Sequence, residues 1–171
     1  MEIEAKFALT DADLARLRGL LGAPAEVVDQ LDVYLQTAGL PVALRVRQDG
    51  DAACVTLKAG FEKVQGIRVR EEWEPTIRPD QLETWLVIFE RLGFPRGDEV
   101  AKRREIWHRP GGVHVVIDTI AGLGTYAEVE AVADARDATL ALLEAAIVEL
   151  GLADHARITT SYRELVAAAR G

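Results

Sequence analysis

A single cysteine, Cys54, stands among 171 residues, which excludes an internal disulfide and gives no support to a thiolate metal site. The three histidines, His108, His114 and His155, are too scattered to form a metal cluster. No apolar run approaches the roughly 20 residues that cross a bilayer. No basic segment followed by an apolar stretch opens the chain, so no secretory signal is expected and the expected location is cytoplasmic. Positive charge is not in surplus either. The net charge of −8 argues against nucleic acid or an anionic membrane surface as partner. Internal repeats, low-complexity segments and linkers are missing from the sequence, so one domain spanning 1–171 is expected, large enough for a single core.

What is present reads as short elements. Thr10, with Asp13 three residues on, opens a helix whose apolar stripe is Leu14, Leu17, Leu20 and Leu21. A second helix is expected over 79–92, with Pro79 in its first turn and Leu82, Trp85, Leu86 and Phe89 on one face. A third runs over 138–150 and ends at Gly151, and Ser161 with Glu164 caps a short fourth. Between them lie eight strand-like stretches: 2–8, 29–36, 42–48, 53–59, 66–74, 100–109, 112–119 and 125–133. The turns QDGD, RPGG and AGLG punctuate hairpins among them. The organisation is α+β with mostly antiparallel strands.

Side chains two apart on a strand share a face. Glu2, Glu4 and Lys6 share one in the opening MEIEAKF, and Arg45 and Arg47 share one in ALRVRQ. Lys58 ends VTLK, and IRVREEWE aligns Arg68, Arg70, Glu72 and Glu74. AKRREIW aligns Lys102 and Arg104, HVVID ends at Asp118, and YAEVEA aligns Glu128 and Glu130. An antiparallel sheet with one solvated face alternates in the same way, and that explains any single stretch better. It does not explain the set. A solvated face draws on Thr, Ser, Gln and Asn, whereas here the polar phase is almost wholly ionic and repeats like charges at i, i+2. Clustered carboxylates repel unless a cation lies between them, and clustered guanidinium groups repel unless an anion does. Both ligands are therefore implied. Eight strands can close around one small ligand, so the expected fold is a closed eight-stranded, mostly antiparallel β-barrel, a tunnel with helices packed on its outside. The in-phase groups number seven acids and eight bases. Two divalent cations would raise that surplus to the charge that a fully ionised triphosphate carries with opposite sign.

Taken in order, ExExK, RxR, a following Lys, RxExE, KxR, an Asp before a GLG turn and a closing ExE resemble the CYTH superfamily, the triphosphate tunnel metalloenzymes. The C-terminal SYREL is similar to that family's closing helix. The resemblance implies a tunnel that takes tripolyphosphate, thiamine triphosphate or a nucleoside triphosphate together with Mg²⁺ or Mn²⁺. By position it implies Glu2, Glu4, Asp118, Glu128 and Glu130 as metal-side acids, with Glu72 or Glu74 helping. It implies Lys6, Arg45, Arg47, Lys58, Lys102 and Arg104 as the phosphate-binding set, with Arg70 beside them. Glu4, Lys6 and Glu130 are the residues expected to carry catalysis. Two departures stand out. Gln36 in YLQT replaces a common acid, and the last helix region lacks Lys, so that Arg157 or Arg163 would have to substitute.

Mg²⁺ and Mn²⁺ prefer hard oxygen ligands, and Arg offers phosphate a planar pair of donors. Positioning and electrostatics supply most of the barrier reduction in phosphoryl transfer. The first expectation is therefore a divalent-metal-dependent triphosphatase, in which metal-activated water attacks a terminal phosphorus and orthophosphate or pyrophosphate leaves. The second is a class IV adenylate cyclase, in which the ribose 3′-hydroxyl replaces water. A module that binds polyphosphate or nucleotide without turnover is the non-enzyme alternative. A small-molecule triphosphate is the expected partner, and the chain is a monomer or a homodimer. Smaller expectations concern single residues. Trp73 and Trp85 belong to the core, and Trp107 faces outward with Arg103 against a helix. His114 shares the phase of Asp118, which allows a place near a tunnel mouth, but a plain strand histidine is the preferred reading. Asp32 and Tyr34 share a face and belong either at a strand end or at the cavity.

Overall fold

The computed structural model describes residues 1–132 and 135–170. Its strands are β1 (Glu2–Leu9), β2 (Glu26–Leu35), β3 (Val42–Asp49), β4 (Ala52–Val64), β5 (Ile67–Trp73), β6 (Thr76–Ile77), β7 (Arg96–Arg109), β8 (Val113–Ile120) and β9 (Gly124–Val132). Helix α1 (Asp11–Leu21) follows β1, α2 (Leu82–Arg91) follows β6, and α3 (Arg136–Glu149) and α4 (Tyr162–Arg170) follow β9. Pairing is antiparallel in the order β3-β2-β7-β8-β9-β1-β5-β4, and β3 pairs with β4 to close the ring. The eight-stranded barrel expected from the alternation is there. The two-residue β6, which the sequence pattern did not indicate, hangs on β4 outside the ring.

The helix caps follow their sequence signatures. The Thr10 hydroxyl accepts from the Asp13 backbone N–H while the Asp13 carboxylate accepts from that of Thr10. Ser161 and Glu164 make the same reciprocal pair ahead of α4. Pro79 opens a 3₁₀ turn, so α2 proper begins three residues later than expected. The eighth strand stretch ends at Val132, and residue 133, which the sequence pattern included, lies outside the described residues.

Every strand splits into two faces. Outward residues of β1, β5, β8 and β9, with Trp107 of β7, pack under α1 and α3 through Leu17, Leu143 and Ile147. Outward residues of β2, β3 and β4 pack under α2 through Leu86, with Leu82, Trp85 and Phe89 beside it. Trp107 is 5% exposed, as its phase implies, and its indole N–H donates to the Gly22 carbonyl. Trp73 corrects the expectation for it. It sits in the outward phase at the end of β5, none of the apolar clusters reaches it, and it is 52% exposed. Leu20 is likewise exposed, because α1 buries only its Leu17 side fully. Outward phase buries a side chain only where a helix lies over it.

A third cluster sits on the inner phase. Tyr34, Val100, Ile120 and Tyr126 point inward and receive Tyr162 and Val166 of α4. That helix closes one end of the barrel with apolar contacts and leaves the charged groups beyond it.

Candidate active site

The inner faces enclose a cavity of about 740 Å³, a volume typical of small-molecule sites. Nine Lys and Arg side chains and eight Asp and Glu side chains line it. Strand register explains how they converge. Glu4 of β1 lies beside Arg68 of β5 on one side and Glu130 of β9 on the other. Lys6 lies beside Glu128, and Arg104 of β7 beside Asp118 of β8. Arg45 and Arg47 of β3 face Thr56 and Cys54 of β4.

Three groups of ion pairs fill the tunnel. Around Glu2, Lys58 donates to both carboxylate oxygens at 2.8 and 2.7 Å and also reaches Glu72 at 3.2 Å. Arg70 spans Glu2 and Glu4 at 3.2 and 2.9 Å, and Arg68 closes on Glu4 from the other side. Deeper in the tunnel, Arg104 chelates Asp118 at 2.8 and 2.6 Å, reaches Glu128 at 2.8 Å and comes within 3.9 Å of Glu130. Lys102 donates to Asp118 at 3.2 Å. On the β2–β4 side, Arg47 grips Asp32 at 2.5 and 2.9 Å, Arg45 adds a bond at 3.3 Å, and Thr56 donates to Glu74 at 2.6 Å.

These contacts set the proton affinities. Burial raises the Glu2 carboxyl, but Lys58 and Arg70 outweigh it and hold the group down at about 2. Glu72 goes the other way, pushed up to about 7 by burial and by the nearby Glu2. Glu130 also stands at about 7, because burial and the carboxylates of Glu128, Glu2 and Glu4 outweigh Arg104. Lys102 is lowered to about 8, first by burial and then by Arg104. Glu2, Glu4, Glu72 and Glu130 therefore crowd closely enough that two of the four hold their protons up to near neutral pH. Hard oxygen donors crowded in this way suit Mg²⁺ or Mn²⁺. Among the described residues no cluster of three or more ligands is already shaped around an ion, because each of these acids except Glu130 is engaged by a cation within 3.2 Å.

The expected site residues thus come together, in different settings. Glu2, Glu4, Glu72, Glu74, Glu128 and Glu130 line the cavity, as do Lys6, Arg45, Arg47, Lys58, Arg70, Lys102 and Arg104. Asp118 is fully buried with both oxygens taken by Lys102 and Arg104. Asp32, left between two places by the sequence, is buried as the partner of Arg45 and Arg47, and Tyr34 lines the cavity. His114 lines the cavity with its ring 4.8 Å from that of His108. Of the two arginines considered as stand-ins for a C-terminal Lys, Arg163 lines the tunnel and pairs with Asp98. Arg157 instead binds Glu144 and the Gln65 carbonyl away from it. Sequence reasoning put Arg68 on the charged face without a ligand role and did not single out Thr56, Asp98 or Tyr162; all four line the cavity. The phases of Lys58 and Arg70 pointed to Thr56 and Arg68 in turn. For Tyr162 no strand pattern existed to read, since only the docking of α4 brings it there.

Asp32 offers a test of this electrostatic frame. Asp32→Asn leaves two buried guanidinium groups short of their carboxylate and is expected to cost about 3–5 kcal/mol at pH 7. Arg45 and Arg47 hold the Asp32 carboxyl far below its ordinary value despite burial. Its stabilisation is therefore complete above the unfolded value near 3.8 and is lost as pH falls through that of the folded protein. Melting curves of the variant and the parent are expected to stay apart at neutral pH and to converge only below about pH 3.8.

A model of the CYTH domain matches residues 1–162. The chain belongs to the CYTH family. PH1012 from Pyrococcus horikoshii OT3 is 26% identical over 96% of this chain and 99% of its own, with a TM-score of 0.83. Hippeastrum HpAC1, a candidate adenylyl cyclase described as having a dominant triphosphatase activity, is 20% identical over 99% and 95%, with a TM-score of 0.75. A candidate adenylate cyclase from Vibrio parahaemolyticus is 20% identical over 97% of each chain, with a TM-score of 0.78. These last two likenesses bear on the fold alone. No curated protein sequence matches the chain. No described helix is long and apolar enough to cross a membrane.

Proposed function

We propose that this CYTH protein is a divalent-metal-dependent triphosphatase that hydrolyses tripolyphosphate or an organic triphosphate inside the barrel. One observation carries this reading. Nine cations converge on one cavity, where they pair with carboxylates that line the same space. A triphosphate chain offers many oxygens of like charge along a line, and guanidinium groups bind such oxygens in pairs.

In this scheme Arg45, Lys58, Arg70 and Arg104 give up Glu74, Glu2, Glu72, Glu4 and Glu128 as partners and, together with Arg47 and Lys102, take phosphate oxygens. The released acids, Glu2, Glu4, Glu72, Glu74 and Glu128, together with Glu130, would hold the divalent cation, which when bound neutralises phosphate charge in the transition state. Asp118 stays beneath, orienting Lys102 and Arg104. Lys6 donates to a terminal phosphoryl oxygen, and the apolar seal of α4 limits water to the open side of the tunnel. Water attacks the terminal phosphorus, the phosphoanhydride bond breaks, and orthophosphate separates from the remaining diphosphate. Exchange of partners makes the two ligands cooperative, since each frees the groups that bind the other.

The test is product identification with tripolyphosphate, ATP and thiamine triphosphate, each with Mg²⁺ or Mn²⁺. Metal-dependent release of orthophosphate or pyrophosphate from at least one is expected. Cyclic AMP with pyrophosphate from ATP would make the chain a cyclase. Binding without any product would make it a binding module.

A further inference from the structure

Lys6 is held in an unusual way. The residue is 2% exposed, yet its ammonium donates to the Thr160 carbonyl only at 3.4 Å and stands 3.4 Å from the Glu128 carboxylate and 3.8 Å from that of Glu4. Its close contact is the ring of Tyr162, whose centroid lies 3.7 Å from Nζ. The Lys102 ammonium stands 5.2 Å from the same centroid. A ring face attracts a cation through its quadrupole and takes up none of the ammonium's N–H donors. A carboxylate in that place would compete with phosphate for those donors.

The ring itself is fixed. Ser161 and Glu164 cap the first turn of α4, Tyr126 packs edge-on at 5.3 Å, and Val166 is buried one turn further along. The phenol hydroxyl is buried and has no hydrogen-bond partner among the described residues. The aromatic face, and not the hydroxyl, is therefore the part that makes the contact.

We infer that Tyr162 is a positioning residue: its ring face holds the Lys6 ammonium, with that of Lys102 at its margin, at the depth where both meet phosphate oxygens, and leaves the Lys6 N–H groups with only the long contacts to Thr160 and Glu128. This rests on the triphosphate reading above. Substrate phosphate then gains donors from Lys6 without first displacing a short ion pair, unlike at Lys58 or Arg104.

The experiment compares Phe, 3,4,5-trifluorophenylalanine and Leu at position 162 and measures tripolyphosphate affinity without metal by calorimetry, together with the melting temperature. Fluorines drain the ring face of negative potential and barely alter its shape. Relative to Tyr162→Phe, the trifluorinated ring is expected to weaken binding about tenfold, and Tyr162→Leu to weaken it at least as much. The two aromatic versions are expected to melt together. Equal affinity for the plain and fluorinated rings overturns the inference, since a residue that only packs does not sense ring charge. If the Leu variant does not fold, the two aromatic versions still decide. Failure of the parent protein to bind tripolyphosphate at all is a different result, and overturns the triphosphate reading itself.

Discussion

Glu4→Gln is expected to lower metal-dependent phosphate release by about 10²–10³-fold while leaving metal-free binding of tripolyphosphate as tight as before or tighter. Glu4 occupies the middle of the acid row, between the guanidinium groups of Arg68 and Arg70. An amide keeps the shape and can still accept from one of them, but it carries no charge for a divalent cation. Losing that negative charge also frees both arginines from their strongest competitor for phosphate. The two effects run in opposite directions, which separates an enzyme from a passive anion trap. Calorimetry with tripolyphosphate alone, set beside phosphate release with Mn²⁺, checks both. Parallel loss of binding and turnover would instead mean that the variant had disturbed the barrel.

Arg104→Ala is expected to cost about 3–5 kcal/mol of stability and to bring tripolyphosphate binding down with it. This guanidinium joins Asp118, Glu128 and Glu130, two of which are buried almost completely. Removing it leaves three neighbouring carboxylates with only Lys102 and Lys6 to answer them. For a chain of this size the loss corresponds to a melting temperature lower by roughly 10 °C. Arg104→Lys is expected to restore part of the stability and little of the affinity, because a single ammonium cannot chelate Asp118 and reach Glu128 at once. Mn²⁺ is expected to raise the melting point of the alanine variant more than that of the parent, since a cation can take the place of the missing guanidinium. Thermal melts with and without Mn²⁺ test this. An unchanged melting point for the alanine variant would show that the tunnel's ion pairs are dispensable.

Much of this arrangement was legible in the chain, for a physical reason. A closed barrel has an inside, and period-two alternation assigns each strand residue to the inside or the outside without reference to tertiary structure. Arg45 with Arg47, Lys102 with Arg104, and Glu128 with Glu130 therefore declared their common destination. What the alternation could not give is what lies over each face. Trp73 and Trp107 share the outward phase, yet only Trp107 has a helix above it. Partners within the tunnel were equally hidden. Asp118 shares its phase with the cavity-lining acids, but its place under Lys102 and Arg104 comes from the β7–β8 register. The bulge between Ala59 and Phe61, with Gly60 at a φ of +61°, carries β4 on to Val64 and places Phe61 and Lys63 opposite Arg70 and Arg68. A strand ended at residue 59 shows none of this. Tyr162 reaches the tunnel through helix docking alone, which no local pattern encodes.

The central claim is that one cavity takes both the triphosphate and its cation, the phosphates on its Lys and Arg side chains and the cation on the carboxylates interleaved with them. Diffraction from crystals soaked in tripolyphosphate and MnCl₂, collected at the manganese edge, tests it most directly. The account predicts an anomalous peak among the carboxylates of Glu2, Glu4 and Glu130, and phosphate density against Lys6, Arg47 and Arg104. Phosphate confined to the outer surface of the barrel, or manganese away from every one of those acids, would contradict it.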